Sequence, residues 1–539
     1  MQNNISKKAR RTTAMEKKLL VIVLAVGIIL RLLTLNNALS FDEFTQTRAV
    51  IDANPAGLDK YTEMNPLTTW TRIAFTSLLG IHVWTLRLTS LVFAILTLVV
   101  LYFLARELYG KRIAFWSVGL LALSSLHALV STSVSFDGAF LTFYTLLVWY
   151  CFVRYCKKNE FKWLVLAGIS FGLVVLTKYT GFLAMIAVAF YSLIQYRNVW
   201  RTFKECFWIS LFGLVVFSVF PLAAFLTDPS YFWITLKHGT YYFGGREINI
   251  LLLLMQYVLA FFWIGPLLLF GYLLGLRKPE RQDWISHSMI IVVFLFYTFI
   301  VQDPFRPVER YFSILLPYFC MLAGKYFGSL RIDWKQFGIV FGLFLIFDFV
   351  ISFLPGKIVA FYPKANFVNA VLSFDWNFLV PFTGDQGPVG LYVKFWIIIV
   401  AFVVSFICFV LSFWKKKAGV VLLAVGLAMS VFVMSELALH LASPDISRVV
   451  KETTTYAKTL QGPYYTFRDY AMQYYLGVNN ATRLDFTTDA STLQLKGTLV
   501  MIDFPSLDKE SALWKKFSSC QLRHVVYEKG IPLGYVFVC

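Results

Sequence analysis

The sequence is poor in charged residues: Asp, Glu, Lys and Arg make up only 15% of its 539 positions, whereas 58% are hydrophobic. Soluble domains carry about 25% charged residues, so this composition excludes an ordinary water-soluble protein. Apolar runs of about 17–25 residues recur instead, and each can cross a bilayer core about 30 Å thick. We therefore predict an all-α polytopic membrane domain, because helices satisfy their own backbone hydrogen bonds in lipid.

Acidic residues are also scarce, with 30 Asp and Glu against 49 Lys and Arg, which gives a net charge of +19. A basic protein of this kind could bind nucleic acid, but its basic residues fall in short loops that share one side if the spans alternate. This is the positive-inside pattern of membrane proteins. We interpret the charge as topology, with a smaller contribution from anionic lipid headgroups, and expect membrane lipids but no nucleic acid as partners.

The apolar runs predict about thirteen spans and a cytoplasmic N-terminus. An odd number places the C-terminus on the opposite side, in the periplasm. Residues 1–440 would form the membrane domain and residues 441–539 a small periplasmic α/β domain, in which "ISRVVKETTTYAKTLQG" reads as a helix and "PYYTF" and "TLVMIDF" as strands. The predicted spans are 19–35, 84–105, 113–132, 137–155, 163–177, 181–196, 207–226, 249–276, 285–301, 310–328, 337–355, 393–414 and 418–440.

The seven cysteines show no metal-binding spacing. Five lie in or beside predicted spans, where cysteine is usually a small apolar filler. The other two are Cys520 and Cys539. The last segment, "LRHVVYEKGIPLGYVFVC", reads as strands. If it turns at Lys529-Gly530, the two cysteines fall opposite each other and a disulfide is feasible in an oxidising compartment. If the turn is "GIPLG" instead, the pairing fails.

Acidic residues gather at the predicted periplasmic face. Asp42 and Glu43 directly follow the first span between two phenylalanines, and Asp137 begins a later span. Simpler interpretations are a solvated pair and a helix N-cap. Charges near membrane depth are costly, however, and usually functional.

Several cations recur on the same face, namely Lys178, Arg310, Arg246 and Arg31. A lysine such as Lys178 can simply extend its amine to the interface. Together with the acids, the cations suggest a different role. The outer compartment has no nucleotide sugars, so a sugar used there arrives on a polyprenyl phosphate. Its transfer needs a carboxylate for the acceptor, cations for the departing phosphate and an apolar groove for the lipid.

Motifs in chain order resemble the glycosyltransferase C superfamily, in particular the bacterial protein O-mannosyltransferases and lipid A aminoarabinose transferases. They are "RLLTLNNALSFDEFTQ", "EMNPLTTW", "LGIHVWTLRLTSLVFAILT", "SFDGAFLTFYTL", "GLVVLTKYTGFLA", "ERYFSILLPYFCMLAG" and, in the C-terminal region, "RDYAMQYYLGVN". The ordered set spans nearly the whole chain, and it is more specific than any one of its motifs.

The resemblance implies roles for individual residues. It makes Asp42 the catalytic aspartate, supported by Glu43, with Asp137 as a second acid of the site. Lys178 and Arg310 would bind the donor phosphate. The aminoarabinose transferases also suggest a divalent metal ion held by Glu63 and His238; a lone histidine such as His238 is otherwise more often interfacial.

These observations predict an integral glycosyltransferase of the bacterial inner membrane. It would be a hexosyl- or pentosyltransferase that moves a sugar from a polyprenyl-phosphate donor to lipid A, a glycan or a protein hydroxyl. Met64, Asn65 and Tyr179 depart from the family motifs around the donor, so the sugar is not assigned. The alternative is a transporter or flippase of lipid-linked sugars, which would favour internal repeats and paired broken helices; the sequence shows no clear repeat.

Overall fold

The fold is that of a helical membrane bundle joined to a C-terminal sheet region. It is taken from a computed structural model. The residues that the structure describes are 21–53, 66–135, 138–227, 229–230, 233, 250–301, 310–358, 369–382, 391–460, 462–467, 471–477, 479–484, 488–502 and 512–539.

Helices make up most of the bundle. Short 3-10 turns at Tyr179–Phe182 and Tyr311–Leu315 precede the helices that begin at Leu183 and Leu316. The helices of the bundle are α1 (Val21–Leu33), α2 (Phe41–Ile51), α3 (Pro66–Leu79), α4 (Val83–Tyr109), α5 (Lys111–Ala122), α6 (Ser125–Ser131), α7 (Ala139–Lys158), α8 (Phe161–Thr177), α9 (Leu183–Tyr196), α10 (Val199–Phe217), α11 (Val219–Thr227), α12 (Ile250–Ile264), α13 (Pro266–Gly275), α14 (Trp284–Phe296), α15 (Leu316–Ser329), α16 (Trp334–Phe353), α17 (Phe395–Leu411) and α18 (Lys416–Leu439).

The prediction of a polytopic helical domain is confirmed. Within the described residues, six helical segments are individually long and apolar enough to span a membrane, and a bent pair gives a seventh. Shorter apolar helices, among them α1, α8, α13 and α17, fill other predicted spans. The exact number of thirteen remains a prediction.

Two predicted spans are broken rather than continuous. The span 113–132 consists of α5 and α6, which meet at a bend of 64°. The span 249–276 is interrupted at Gly265, whose φ of 88° lies in the left-handed region. Pro266 follows at the first turn of α13, where its missing N–H costs nothing. Hydrophobicity alone gives no sign of either break, because the runs stay apolar across it.

In the bundle core, α4 packs against α3, α5, α6 and α7. Elsewhere α8 and α10 approach closely because glycines face each other. A Cβ on Gly172 would lie 2.5 Å from the carbonyl oxygen of Gly213. Small residues at such crossings let membrane helices pack backbone to backbone.

A small sheet between α16 and α17 was not predicted. Strand β2 (Phe378–Phe382) pairs in parallel with β1 (Lys357–Ile358) and antiparallel with β3 (Leu391–Lys394). Leu379 and Tyr392 of this sheet join the hydrophobic core of the C-terminal sheet region. The sheet therefore helps to attach that region to the bundle.

The C-terminal sheet region contains a five-stranded mixed sheet. The elements of this region are α19 (Ile446–Ala457), β4 (Tyr464–Phe467), α20 (Ala471–Leu476), β5 (Ala481–Leu484), β6 (Thr498–Ile502), α21 (Ala512–Ser518), β7 (Gln521–Glu528) and β8 (Ile531–Val538). The strands lie in the order β5-β4-β6-β8-β7; β4 is parallel to β5 and β6, and β8 is antiparallel to β6 and β7. One face of the sheet packs on α19 and the other on α21.

The last two strands answer the question of the disulfide. The chain turns at Lys529 and Gly530, which both have positive φ. The resulting register pairs Gln521 with Val538. Cys520 and Cys539 are thereby brought together and form a disulfide. The first of the two predicted turns is confirmed.

Candidate active site

The candidate site is organised around the start of α2, immediately after the first predicted span. The sequence "SFDE" has the Ser-x-x-Glu spacing of a capping box. The backbone N–H of Ser40 donates to Oε2 of Glu43 at 2.8 Å. This bond begins α2 at Phe41 and places Asp42 in its first turn.

Glu43 is buried, with 4% of its surface exposed. Its carboxylate forms a two-pronged ion pair with Arg87 near the start of α4: Nε donates to Oε1 and Nη2 to Oε2, both at 2.8 Å. Buried ion pairs persist when the remaining lone pairs are also satisfied. The backbone N–H groups of Ser40 and Val134, each 2.8 Å away, supply those further bonds.

These contacts determine the charge of Glu43. Burial by itself would raise the pKa of the carboxyl. The guanidinium of Arg87 and the two backbone donors outweigh burial and lower the pKa below its ordinary value of 4.5. Glu43 is therefore ionised at neutral pH and already surrounded by donors, which favours a role in positioning its neighbours over proton transfer.

The bond from Val134 links α2 to a second acid-bearing segment. Val134 lies three residues before Asp137 in the connection between α6 and α7. Because one oxygen of Glu43 accepts from Val134 and also from Arg87, helix α4 and this connection are held by the same carboxylate. The structure thus brings the segments of two predicted acids together.

Arg72 of α3 makes a second link between the same segments. Its side chain is completely buried. Nη2 donates to the carbonyl oxygen of Ser135 at 3.1 Å, and Nη1 contacts Oε1 of Gln46 on α2 at 3.4 Å. The guanidinium carbon lies 5.6 Å from the ring centre of Phe140 on α7. Four segments therefore meet at one arginine.

Two of the predicted phosphate ligands converge on Tyr311. The Nζ atom of Lys178 lies 4.3 Å from the centre of the Tyr311 ring. The guanidinium carbon of Arg310 lies 5.1 Å from the same ring, and its Nη2 donates to the hydroxyl at 3.3 Å. Tyr311 is itself held by parallel stacking on Tyr297, with 5.2 Å between ring centres. Two cations from distant parts of the chain thus lie close to one aromatic ring.

Lys178 is presented by a break between α8 and the turn before α9. Its backbone is extended, with φ −161°, and the chain then folds back so that the N–H of Gly181 donates to its carbonyl at 2.8 Å. A Cβ on Gly181 would lie 2.2 Å from Cγ1 of Val174. Only glycine permits this close return, which orients the lysine at the end of α8.

Arg31 is placed differently from its prediction as a phosphate ligand. It is buried in α1, and Nη1 donates to the carbonyls of Gly27 and Ala122 at 2.7 and 2.8 Å. Nε donates to Ser131 at 2.9 Å, and Nη2 lies 3.1 Å from Nδ1 of His127. Arg31 therefore satisfies carbonyl and side-chain groups at the α5–α6 bend, and this geometry favours a structural role.

The C-terminal sheet region holds the loop that leads to α2. Ser447 Oγ accepts from the N–H of Ala38 at 2.6 Å, and Nζ of Lys451 donates to the carbonyl of Asn36 at 2.6 Å. From the bundle side, Arg87 donates to the carbonyls of Asn37 and Ala38 at 2.6 and 2.8 Å. The loop is thus braced from both sides.

Other predicted site residues lie outside the described part of the structure. For Asp42 only the backbone in α2 is described. The remaining positions are Glu63, Asp137, His238 and Arg246. Among the described residues there is no group of three His, Cys, Asp or Glu that could hold a metal ion. The metal site at Glu63 and His238 stays a prediction.

Sequence reasoning did not select Arg72, Arg87 or Tyr311. Arg72 carried a usable signal as the one basic residue of α3, and Arg87 as a basic residue near the start of the apolar α4, because such charges are expensive to bury without a partner. Tyr311 stands in the motif "ERYFSILLPYFCMLAG", but only the fold places its ring close to both Lys178 and Arg310.

Comparison with known proteins gives the fold family. Residues 63–222, which include Arg72, Arg87 and Lys178, match the family model described as dolichyl-phosphate-mannose-protein mannosyltransferase. ArnT from Cupriavidus metallidurans in the apo state is 14% identical with a TM-score of 0.60, and the match covers 96% of this chain and 98% of that one. ArnT from Cupriavidus metallidurans bound to undecaprenyl phosphate is 16% identical with a TM-score of 0.59, and the match covers 96% of this chain and 97% of that one.

The chain has the glycosyltransferase C fold. This confirms the resemblance that the sequence motifs indicated. No curated protein sequence gives a significant match. At these identities the structural likeness establishes the fold.

Proposed function

We propose that this glycosyltransferase C protein transfers a sugar from a polyprenyl-phosphate donor to an acceptor on the periplasmic face of the bacterial inner membrane. The acceptor would be lipid A, a glycan or a protein hydroxyl. The observation that carries the proposal is the convergence of Lys178 and Arg310 on Tyr311. Two cations held at one ring provide positive charge that can bind an anionic ligand such as a phosphate.

The reaction would be an in-line displacement with inversion at the anomeric carbon. The acceptor oxygen forms a bond to that carbon while the bond from the carbon to the phosphate oxygen breaks. The electron pair of the broken bond leaves on the polyprenyl phosphate, where Lys178, Arg310 and Arg246 would stabilise it. Asp42 takes the proton of an acceptor hydroxyl, or only orients the acceptor if that acceptor is already an ionised phosphate. Asp137 would position the sugar or acceptor.

We infer supporting roles for Glu43, as the sequence analysis expected, and for Arg31, which was expected to bind the phosphate. Glu43 accepts from Arg87, Ser40 and Val134, so it holds Asp42's helix against the segment before Asp137. Arg31 donates to groups around the α5–α6 bend. Both would act on catalysis through the positions of other residues.

The test is mass spectrometry of lipid A, glycans and envelope glycoproteins from cells that carry the gene, lack it or carry Asp42→Asn. We expect one sugar to disappear from one acceptor in both the deletion and the variant. The matched control is Asp52→Asn at the end of the same helix, where the carboxylate pairs only with Arg48 at 2.6 Å among the described residues. This control should keep normal transfer.

The outcome separates catalysis from transport. Full transfer by Asp42→Asn at wild-type protein level would refute the proposed site. Unchanged acceptors in the deletion strain, with the lipid-linked sugar accumulating in one leaflet, would favour a flippase instead. Immunoblots of membranes must show equal amounts of each variant, so that a folding defect is not mistaken for a catalytic one.

A further inference from the structure

Arg72 is a buried cation that is attracted by the charge of Glu43 but whose described hydrogen-bond and ring partners are all neutral. They are the side-chain amide of Gln46, the carbonyl of Ser135 and the ring of Phe140. Its Nε atom is buried and has no hydrogen-bond partner among the described residues. Burying a charge is costly unless an opposite charge or strong hydrogen bonds compensate for it. The free-energy cost of burying Arg72 therefore suggests that this residue has a function.

The location of Arg72 indicates what this function is. Gln46 lies one helical turn after Asp42, so the two positions share a face of α2. Ser135 lies two residues before Asp137. The two Nη groups of Arg72 therefore reach both segments that carry the proposed acids. Because the planar guanidinium presents its donors in a rigid fork, it fixes the distance between the two segments that it bonds.

Glu43 joins the same segments on its own side through Arg87 and Val134. Two braces at neighbouring positions of the α6–α7 connection, Val134 and Ser135, prevent rotation of that connection about a single bond. Arg87 compensates Glu43, whereas Arg72 has no described carboxylate in hydrogen-bond contact. Arg72 therefore acts on the two segments through its hydrogen bonds to Gln46 and Ser135.

We infer that Arg72 is a positioning residue that sets the spacing and orientation of Asp42 relative to Asp137. This inference rests on the proposed function, since it assumes that these two acids act on the donor sugar and the acceptor. It assigns Arg72 no contact with the leaving phosphate, because the side chain is completely buried. Arg72 should thus affect turnover and leave binding of the phosphate intact.

The experiment separates these two readouts. Arg72→Met, Arg72→Lys and Lys178→Met are compared with wild type for sugar on the acceptor in cells, normalised to folded protein. Purified protein is titrated with undecaprenyl phosphate, followed by tryptophan fluorescence. Arg72→Met should lower transfer by about 10²-fold, the usual effect of misplacing reacting groups by about 1 Å. Its affinity for undecaprenyl phosphate should stay within about twofold of wild type.

The lysine variant tests geometry against charge. Arg72→Lys keeps the charge but cannot hold two segments with one rigid fork, so transfer should recover only in part. Thr76→Val is the matched control: Thr76 is buried one turn further along α3 and bonds to the carbonyls of Arg72 and Ile73 in its own helix. It should transfer sugar normally.

Two results would overturn the inference. Wild-type transfer by Arg72→Met would show that no positioning is needed. Loss of undecaprenyl phosphate binding equal to that of Lys178→Met would make Arg72 a phosphate ligand. If Arg72→Met does not fold, Gln46→Leu removes one of its partners and is judged by the same two readouts, with a smaller loss of transfer expected.

Parallel measurement of Asp42→Asn distinguishes this failure from failure of the proposed function. Inactive Asp42→Asn with fully active Arg72→Met would overturn the role of Arg72 alone. Fully active Asp42→Asn would overturn the proposed site and this inference with it.

Discussion

Two buried carboxylates at opposite ends of α4 look alike and are expected to do different work. Glu43 pairs with Arg87 near the start of the helix. Asp283 accepts from Tyr109, the last residue of α4, at 2.8 Å and from Lys325 at 2.8 Å. The two positions on α4 are about 33 Å apart at 1.5 Å per residue. Both carboxylates are almost fully buried and both complete a capping box.

The difference lies in what the carboxylates connect. Glu43 reaches Val134 and so ties the Asp42 helix to the segment before Asp137. Asp283 accepts from the N–H of Glu280 in its own turn, and Lys325 also donates to the carbonyl of Lys278 beside it. The described contacts of Asp283 thus stay within one end of the bundle. Burial and ion pairing alone do not identify a functional carboxylate; the segments that it joins do.

Replacing Glu43 and Asp283 each by its amide should give the largest difference between the two carboxylates. Glu43→Gln leaves Arg87 buried without its counter-charge, which typically costs about 3–5 kcal/mol, and it also releases the Asp42 helix. We expect a lower melting temperature in detergent and a loss of transfer of about 10²-fold per folded molecule. Asp283→Asn should lower the melting temperature but keep the transfer rate of the folded protein. Equal loss of transfer in both variants would contradict the distinction.

The pH dependence of stability gives a second readout for the same pair. Because the pKa of Glu43 is lower in the folded protein than its ordinary value of 4.5, its stabilising contribution is complete above about that pH. The contribution is lost as the pH falls through the folded value. The wild-type melting temperature should therefore fall more steeply in acid than that of Glu43→Gln. Parallel curves would show that Glu43 gains nothing from its partners.

The same comparison can be made for two lysines, Lys178 in the candidate site and Lys325 beside Asp283. Lys178→Met should reduce transfer by about 10²–10³-fold, as expected for loss of a group that stabilises a leaving anion. Lys325→Met removes the partner of Asp283 and should affect melting more than transfer. Measurement of transferred sugar and melting temperature in the same preparations checks both. Normal transfer by Lys178→Met would exclude it as a phosphate ligand.

The disulfide should matter for stability more than for activity. Cys520 joins the core on the α21 face of the sheet, whereas α19 on the other face contacts the bundle. The bridge closes a loop with a sequence separation of 19, so its removal should cost about 3 kcal/mol. We expect the double variant Cys520→Ser/Cys539→Ser to show earlier proteolysis of the C-terminal sheet region. At temperatures below the melting transition of this variant, its rate of transfer should stay within about threefold of wild type, because the lost bridge lowers stability and leaves the folded site unchanged. Cys206→Ser, a free cysteine, is the control.

The smallest effect is expected where the C-terminal sheet region touches the loop before α2. Lys451→Met removes one bond to the carbonyl of Asn36, which Arg87 and Ser447 keep in place through the neighbouring residues. The loss should be about 1 kcal/mol and transfer should change little. Lys458→Met on an exposed position of the same segment is the control. A large loss of transfer would give Lys451 a direct role in the site.

The sequence predicted some features of the site and not others. The sequence selected the Asp-Glu pair, Lys178 and Arg310 because charges beside membrane spans are rare and costly. Their ordered motifs indicated the glycosyltransferase C fold. The sequence did not select Arg87, Arg72 and Tyr311, because a local pattern can mark a costly charge but does not show which distant residue it contacts. For the same reason the sequence did not show that Arg31 donates to Ala122 at the α5–α6 bend; its role at a phosphate stays a prediction.

What the sequence determined by itself is the class of protein, since long apolar runs in lipid leave only helices as a solution. It also predicted α19 and the strands β4 and β6 of the C-terminal sheet region, because their periodicity is local, but not α20, α21 or β5. Tertiary structure decided the breaks within two predicted spans, the choice between two turns that forms the disulfide, and the partners of each buried charge. Those features depend on which segments come into contact, and a buried charge is stable only where its distant partner has been brought to it.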